Sequence, residues 1–357
     1  MANDPRDLSG SRLNNALLQL GRDKVLCAEL LEWLKRSEER LTYSGSVRDD
    51  ITGPIIDSLH SEKDVYEKQL ADGTRFRFLY RTKIARDFLL AKQENPSHVW
   101  EPQTTRLLRH LTAKTCGDVL IGGAYFGDHA VLLGVQLKGG DRLVHCFEPN
   151  TDQAAMLAEN GQLNSLENLR INKLGLWDVS SQRLQLDGFD SFANVLQATG
   201  DEGFETVTID DYCSTQNRNI SVLMLDIEGS EFKALKGALR VMNQDKPAVV
   251  FEVHRDYMDW SVGLTKTPIC SLLKTAGYQL YAVRDFNTHQ EMGDRPIELI
   301  PACSVHLEGP PHGFNMLAVA DPALIAGPLF RQVQGVSPKL LRHKSSALHH
   351  PLDGMPD

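Results

Sequence analysis

Asp118-Val119-Leu120-Ile121-Gly122-Gly123-Ala124-Tyr125-Phe126-Gly127 is the stretch that decides how this chain folds. A short apolar run ends in a cluster of glycines, and residues 127–137 then carry the spacing of a helix. A strand, a tight turn and a helix form the opening unit of an α/β fold. Glycines there let the backbone turn sharply and let a ligand approach it closely. The helix that follows offers unpaired amides and its positive dipole end to an anionic or carboxylate-bearing ligand. Such clusters, here a GxAxxG variant, also serve ordinary strand–helix turns.

The same rhythm continues downstream. Apolar runs at 143–147, 169–173, 222–225, 248–253, 280–283 and 316–320 alternate with helical spacing at 152–164, 231–242 and 266–276. Strands without a polar alternation suit a mostly parallel sheet covered on both faces. Residues 178–206, with Gly188, Gly200 and Gly203, read as an irregular excursion. Upstream the pattern differs. Leu26, Leu30, Leu31 and Leu34 predict a helix over 24–40, residues 74–80 alternate like a strand, and 84–92 read as another helix. Pro102 suits the first turn of the next helix. The expected division is an N-terminal, mainly helical accessory region at 1–98, an α/β domain at 99–325, and a tail at 326–357. That tail turns polar and frayed from Ser337 and includes His349 and His350.

With 357 residues, 41% hydrophobic and 24% charged, the chain can bury its own core and is not a disordered polymer. A net charge of −9 argues against general nucleic-acid binding. No apolar run reaches the roughly 20 residues that span a bilayer, and Met1–Pro5 begins no secretory leader. Six scattered cysteines form no CxxC and no zinc spacing, which fits free thiols in a reducing compartment. The expected setting is the cytoplasm, with no membrane or nucleic-acid partner.

In doubly wound sheets, ligands lie at the carboxyl ends of the strands. Glu148 ends the second run, 21 residues after Gly127, where a carboxylate can accept both hydroxyls of a ribose. NAD and S-adenosylmethionine share that geometry, and a cap on the next helix is the structural alternative. Asp226, Glu228 and Glu231 crowd the end of the fourth run, a repulsive arrangement unless metal, substrate or solvent intervenes. Asp226 is the functional candidate and Glu231 the candidate cap. Glu252 and His254 share one face of the fifth strand, because side chains alternate with period two. Histidine is a natural general base near neutral pH.

Taken in order, these signatures resemble the FkbM-type methyltransferases. The matching residues are Gly123-Ala124-Tyr125-Phe126-Gly127, Phe147-Glu148-Pro149 with Asn160 and Asn164, Thr208-Ile209-Asp210, Asp226-Ile227-Glu228-Gly229-Ser230-Glu231, and Phe251-Glu252-Val253-His254. Late matches are Gly277-Tyr278 and Asn315-Met316-Leu317-Ala318, so the resemblance spans about residues 100–322. It implies a class I, Rossmann-like fold of seven strands, mostly parallel with the last antiparallel, S-adenosylmethionine as cofactor, and O-methylation of a sugar or natural-product hydroxyl. The chain departs from the pattern at Ile121, where the family carries an acid, and at Met224, where it often carries lysine. The nearest acid is Asp118.

The resemblance implies that Gly123, Ala124, Tyr125 and Gly127 shape the loop under the cofactor and Glu148 holds the ribose; Asp178 is a candidate for the adenine amino group, with a surface-turn carboxylate as the alternative. Methyl transfer to an alcohol needs alignment and a means of removing or stabilising the hydroxyl proton. His254 is the expected base, with Asp226 and Glu252 orienting the substrate or holding a Mg²⁺. The partner is then a small hydroxylated molecule, with homo-oligomer formation through the N-terminal region a further expectation. Two rival readings are a catalytically weakened methyltransferase-like scaffold, prompted by Ile121, and an NAD-dependent oxidoreductase, which leaves the acids at 226–231 without a use.

Overall fold

Asp23 opens the first well-capped helix, its carboxylate accepting the amides of Val25 and Leu26. In a computed structural model of the chain, residues 10–43, 47–187, 194–197, 203–254, 256–286, 289–307 and 313–340 are described. The N-terminal part holds α1 (Gly10–Arg22), α2 (Lys24–Arg40), α3 (Gly53–Asp57), the hairpin strands β1 (Val65–Gln69) and β2 (Arg75–Leu79), and α4 (Lys83–Leu89). Then come α5 (Pro102–Lys114), β3 (Asp118–Gly122), α6 (Ala130–Gln136), β4 (Val144–Phe147), α7 (Thr151–Leu163), β5 (Leu169–Asn172) and β6 (Gly175–Leu176). Three strands, β7 (Arg183–Asp187), β8 (Asn194–Gln197) and β9 (Phe204–Val207), precede α8 (Ile209–Gln216) and β10 (Ile220–Leu225). The chain continues through α9 (Glu231–Lys236), α10 (Leu239–Gln244), β11 (Ala248–Val253), α11 (Pro268–Thr275), β12 (Gln279–Val283), β13 (Ile297–Pro301), β14 (Phe314–Val319) and β15 (Phe330–Gln332).

The main sheet has nine strands in the order β15-β13-β12-β14-β11-β10-β3-β4-β5. From β5 to β11 every pairing is parallel, and β14 runs antiparallel to both β11 and β12. This is the mostly parallel sheet with an antiparallel strand that the resemblance implies. The expected count of seven falls short by two, because β13 and β15 extend it beyond β12. They cover a strand whose Leu280, Tyr281 and Val283 would otherwise leave an apolar edge exposed.

The central strands feed two cores. Ile121, Met224 and Leu317 belong to one, while Leu120, Leu223 and Met316 belong to the other, on the opposite face. The continuous apolar runs therefore have the meaning expected of them. The predicted helix at 231–242 divides into α9 and α10 around Gly237 and Ala238. The excursion at 178–206 supplies β7, β8 and most of β9 to a small sheet of order β6-β9-β7-β8, and Gly188 and Gly200 lie outside the described residues.

The N-terminal region is helices plus a hairpin, and it joins the first core through Phe76, Phe78 and Phe88. The Phe76 and Phe78 rings meet Phe126 at 6.2 and 5.9 Å. Burying each such ring stabilises the fold by roughly 1.5–3 kcal/mol. Asn160 and Asn164 of α7 bind the main chain of β2 reciprocally. Their amide oxygens accept from Arg77 N and Arg75 N at 2.7 and 2.9 Å, and their NH₂ groups donate back to Arg77 O and Arg75 O at 2.8 and 2.7 Å.

The expected tail is also corrected where it is described. Residues 330–332 join the sheet, and Asp285 exchanges main-chain hydrogen bonds with Pro338 and Leu340. Residues 341–357, with His349 and His350, lie outside the described residues. All six cysteines are free thiols. No helix among the described residues is long and apolar enough to cross a membrane.

Candidate active site

The carboxyl ends of β3, β4, β10 and β11 open into one cavity of about 620 Å³. Its floor is the glycine turn. Gly123 has φ +74°, and a Cβ there would overlap the carbonyl oxygen of Asp226, so only glycine lets β3 and β10 end side by side. Gly123 N and Ala124 N donate to Phe147 O at 3.0 and 3.1 Å, tying the turn to β4. Gly123 and Tyr125 line the cavity, whereas Ala124 is buried in the core and Gly127 forms the turn beneath it, φ +98°. Ile121 is buried in the first core and Asp118 lies at the far end of β3, bound to His145 and Arg218. Neither takes part in the cavity.

Glu148 lines the cavity with both oxygens engaged by the loop: Oε2 accepts Tyr125 N at 2.8 Å and Oε1 accepts Asn150 N at 2.9 Å. The cap of α7 is Asn150, which accepts Asp152 N and Gln153 N. The capping role is thereby taken, and Glu148 is left facing the cavity. Trp177 forms the wall beside it, but Asp178 does not. The Asp178 carboxylate binds Lys236 and Lys233 at 2.7 and 3.3 Å, and these partners hold its pKa below the ordinary value. The sequence could not show that α9 places two lysines against it.

Across β3 lie the acids. Asp226, Glu228 and Glu252 each offer an oxygen within 4.8 Å of the others. Glu231 does not cap the helix as expected: α9 has no side-chain cap, and the carboxylate instead accepts Ile227 N and Gly229 N of the preceding loop at 2.9 and 3.3 Å. Burial first, then repulsion from Asp128, pushes Asp226 up to about 6; burial and the Asp226 charge push Glu228 up to about 8 and Glu252 well above its usual range. Three convergent carboxylates are the hard oxygen set that suits a divalent cation such as Mg²⁺. The Asp210 carboxylate of the Thr208-Ile209-Asp210 segment has a structural task, accepting Arg240 N and Val241 N.

Glu252 and His254 both line the cavity, as their alternation predicts. His254 differs from expectation in one respect. Its Nδ1 accepts the Asp256 amide at 3.1 Å. That assigns the proton of a neutral ring to Nε2, making its free nitrogen a donor and not a base.

Sequence reading missed three contributors. Glu101 at the start of α5 lines the cavity, and its Oε2 accepts Asn315 Nδ2 at 2.6 Å. Burial pushes Glu101 up to about 8. Asp128, directly after the glycine turn, lines the same wall. Lys339 is buried from the C-terminal side, where Glu101, Glu252, Asp285 and Asp226 all act on it electrostatically. Nothing in local spacing signals a lysine so far along the chain from these acids.

A separate trio, His98, His289 and Glu291, also gathers possible ligand atoms. The two imidazoles stack at 4.2 Å with planes only 9° apart. Their in-plane lone pairs run parallel and do not converge on one ion. Arg75, Arg77 and Arg81 stay outside the cavity, where they pair with Glu67, Glu159 and Asp152.

Residues 122–286 match the family model described as the methyltransferase FkbM domain. No curated protein matches the chain. Among solved structures, the methyltransferase FkbM from Methylobacillus flagellatus KT is 19% identical over 49% of this chain and 41% of that one, with a TM-score of 0.32. The present chain thus spans less than half of that relative's length. A SAM-dependent O-methyltransferase from Thermotoga maritima is 9% identical over 75% and 80% of the two chains, with a TM-score of 0.34. A SAM-dependent methyltransferase from Agrobacterium tumefaciens is 9% identical over 73% and 72%, with a TM-score of 0.40.

Proposed function

We propose, from the FkbM methyltransferase domain formed by residues 122–286, that the protein transfers a methyl group from S-adenosylmethionine to a hydroxyl of a sugar or natural product. The observation that carries this reading is the single cavity in which the Gly123 turn and Glu148 lie on one side, and Asp226, Glu252 and His254 on the other. A nucleoside with a reactive tail fits the first side, and a hydroxylated acceptor fits the second. Bound S-adenosylmethionine supplies an electrophilic methyl group.

Glu148, fixed by two main-chain amides, accepts the ribose hydroxyls with its remaining lone pairs. Trp177 bounds the base end. On the acceptor side, Nε2–H of His254 donates to the substrate and orients it, because Nδ1 is already occupied. The hydroxyl proton then passes to a carboxylate of the Asp226–Glu252 pair, the proton acceptors facing that space. Holding nucleophile and methyl group in line supplies much of the remaining acceleration. Asp226, Glu228 and Glu252 would hold a Mg²⁺, which when bound supplies charge stabilisation for the alkoxide. Full activity in EDTA would remove the metal from this scheme.

The test is calorimetric titration with S-adenosylhomocysteine, with NAD in parallel. Binding of the first alone supports the reading, and Glu148→Ala should then abolish the heat. Binding of NAD alone returns the oxidoreductase reading, and binding of neither returns the scaffold.

A further inference from the structure

We infer that Asp128 binds the α-ammonium of the cofactor's amino-acid tail. The inference rests on the cofactor reading above and extends it to a residue that neither the spacing nor the family pattern singled out.

The direction of the tail follows from the order of the strands. Leu174–Trp177 follow β5, Glu148 ends β4, Asp128 follows β3 and Asp226 ends β10, and these strands are neighbours in that sequence. A nucleoside whose ribose sits on Glu148 and whose base points to Trp177 sends its tail the other way, over the end of β3. The wall it meets there includes Trp100, Glu101, Asp128 and His129.

Three carboxylates on that side could receive a cation. Asp226 converges with Glu228 and Glu252 on the acceptor side. Glu101 is bound by Asn315 and acted on by Lys339. Asp128 differs from both. It is 8% exposed, and its one ion pair among the described residues is a loose one, to His129 Nε2 at 3.8 Å. Burial raises its pKa, with only His129 and nearby main-chain amides opposing the rise. A carboxylate held at a cavity wall with so little compensation is costly by itself. An ammonium group at that wall would offset the cost and form a charge-assisted hydrogen bond. The same placement accounts for Ile121, whose side chain is turned into the core. The carboxylate of this subsite comes from the turn after the strand and not from the strand itself.

The test compares three ligands on two proteins. S-adenosylhomocysteine has the tail, its deamino analogue lacks only the ammonium, and methylthioadenosine lacks the whole amino-acid portion. For the wild type, loss of the ammonium should weaken binding on the order of ten- to a hundredfold, the range of a charge-assisted hydrogen bond. Asp128→Asn should weaken S-adenosylhomocysteine by a similar factor, leave methylthioadenosine unchanged, and erase the difference between the first two ligands. Asp128→Asn binding S-adenosylhomocysteine as tightly as the wild type overturns the inference and leaves the cofactor reading standing. So does an equal loss for methylthioadenosine, which would make Asp128 a support of the loop. If Asp128→Asn does not fold, the wild-type comparison still decides: equal binding of S-adenosylhomocysteine and its deamino analogue overturns the assignment. Failure of the wild type to bind any of the three removes the cofactor reading itself, and the inference with it.

Discussion

The main-chain amide of Asp256 donates to Nδ1 of His254 at 3.1 Å. This bond fixes which nitrogen of the ring carries a proton, and so separates an orienting histidine from a basic one. With an acceptor found by screening, His254→Gln should lower kcat/KM by about ten- to a hundredfold, the scale of a lost hydrogen bond to a bound group. The acidic limb of its pH–rate profile should persist. Disappearance of that limb would return the base to His254.

Gly313 packs against Glu252, and a Cβ added to it would overlap Glu252 Oε1 and crowd the His254 ring. Gly313→Ala should therefore displace Glu252 without touching Gly123, Tyr125 or Glu148. Methyl transfer should fall at least tenfold, while S-adenosylhomocysteine affinity stays within about threefold. Parallel assays of turnover and binding check this. A matching loss of both would mean that the two halves of the cavity are not separable.

Lys339 provides the positive charge that opposes Glu101, Asp226, Glu252 and Asp285. Leaving buried acids uncompensated is expensive, so Lys339→Met should cost about 3–5 kcal/mol of stability. The sign of its pH dependence follows from Glu101, whose folded pKa is raised to about 8. Stability linked to such a group is complete below its unfolded pKa and declines as pH rises through the folded value. The gap in melting temperature between wild type and variant should thus be wider at pH 8 than at pH 5.5. Thermal denaturation at the two pH values measures it.

His98 behaves in the opposite sense. Burial, together with His289 and His129, depresses its pKa to about 2, and its Nε2 is buried without a hydrogen-bond partner. Glu291 and Ser97 face its Nδ1. A histidine kept neutral in the fold but titrating near 6.5 when unfolded contributes stability above pH 6.5 that is lost progressively as pH falls toward 2. His98→Asn should flatten the fall in melting temperature between pH 7 and pH 5. An unchanged slope would assign that pH dependence to other groups.

The strand ends were legible because a buried parallel strand writes its own signal, an uninterrupted apolar run stopped by glycine or an acid. Gly123, Glu148, Asp226, Glu252 and His254 could all be found in this way, and all line the cavity. The partners of Asp178 were not legible, because its two lysines come from α9, across the fold. Strands β13 and β15 were missed because they act as covers for an edge, and short pieces carry little periodicity. Lys339 was illegible for a different reason. It lies in a polar-looking stretch whose burial depends on pairing with Asp285, a long-range contact that no local window contains.

The two asparagines of α7 that grip β2 also set a limit on how the protein can be cut. A fragment begun at residue 99 would keep every strand of the main sheet. It would lose Thr82, whose hydroxyl meets that of Tyr125 at 2.9 Å, and the phenylalanines seated on Phe126. Asn160, Asn164 and one flank of the cavity would be left bare to solvent. The hairpin and the Thr82 turn are therefore integral to the fold, and engineering this chain means carrying them along.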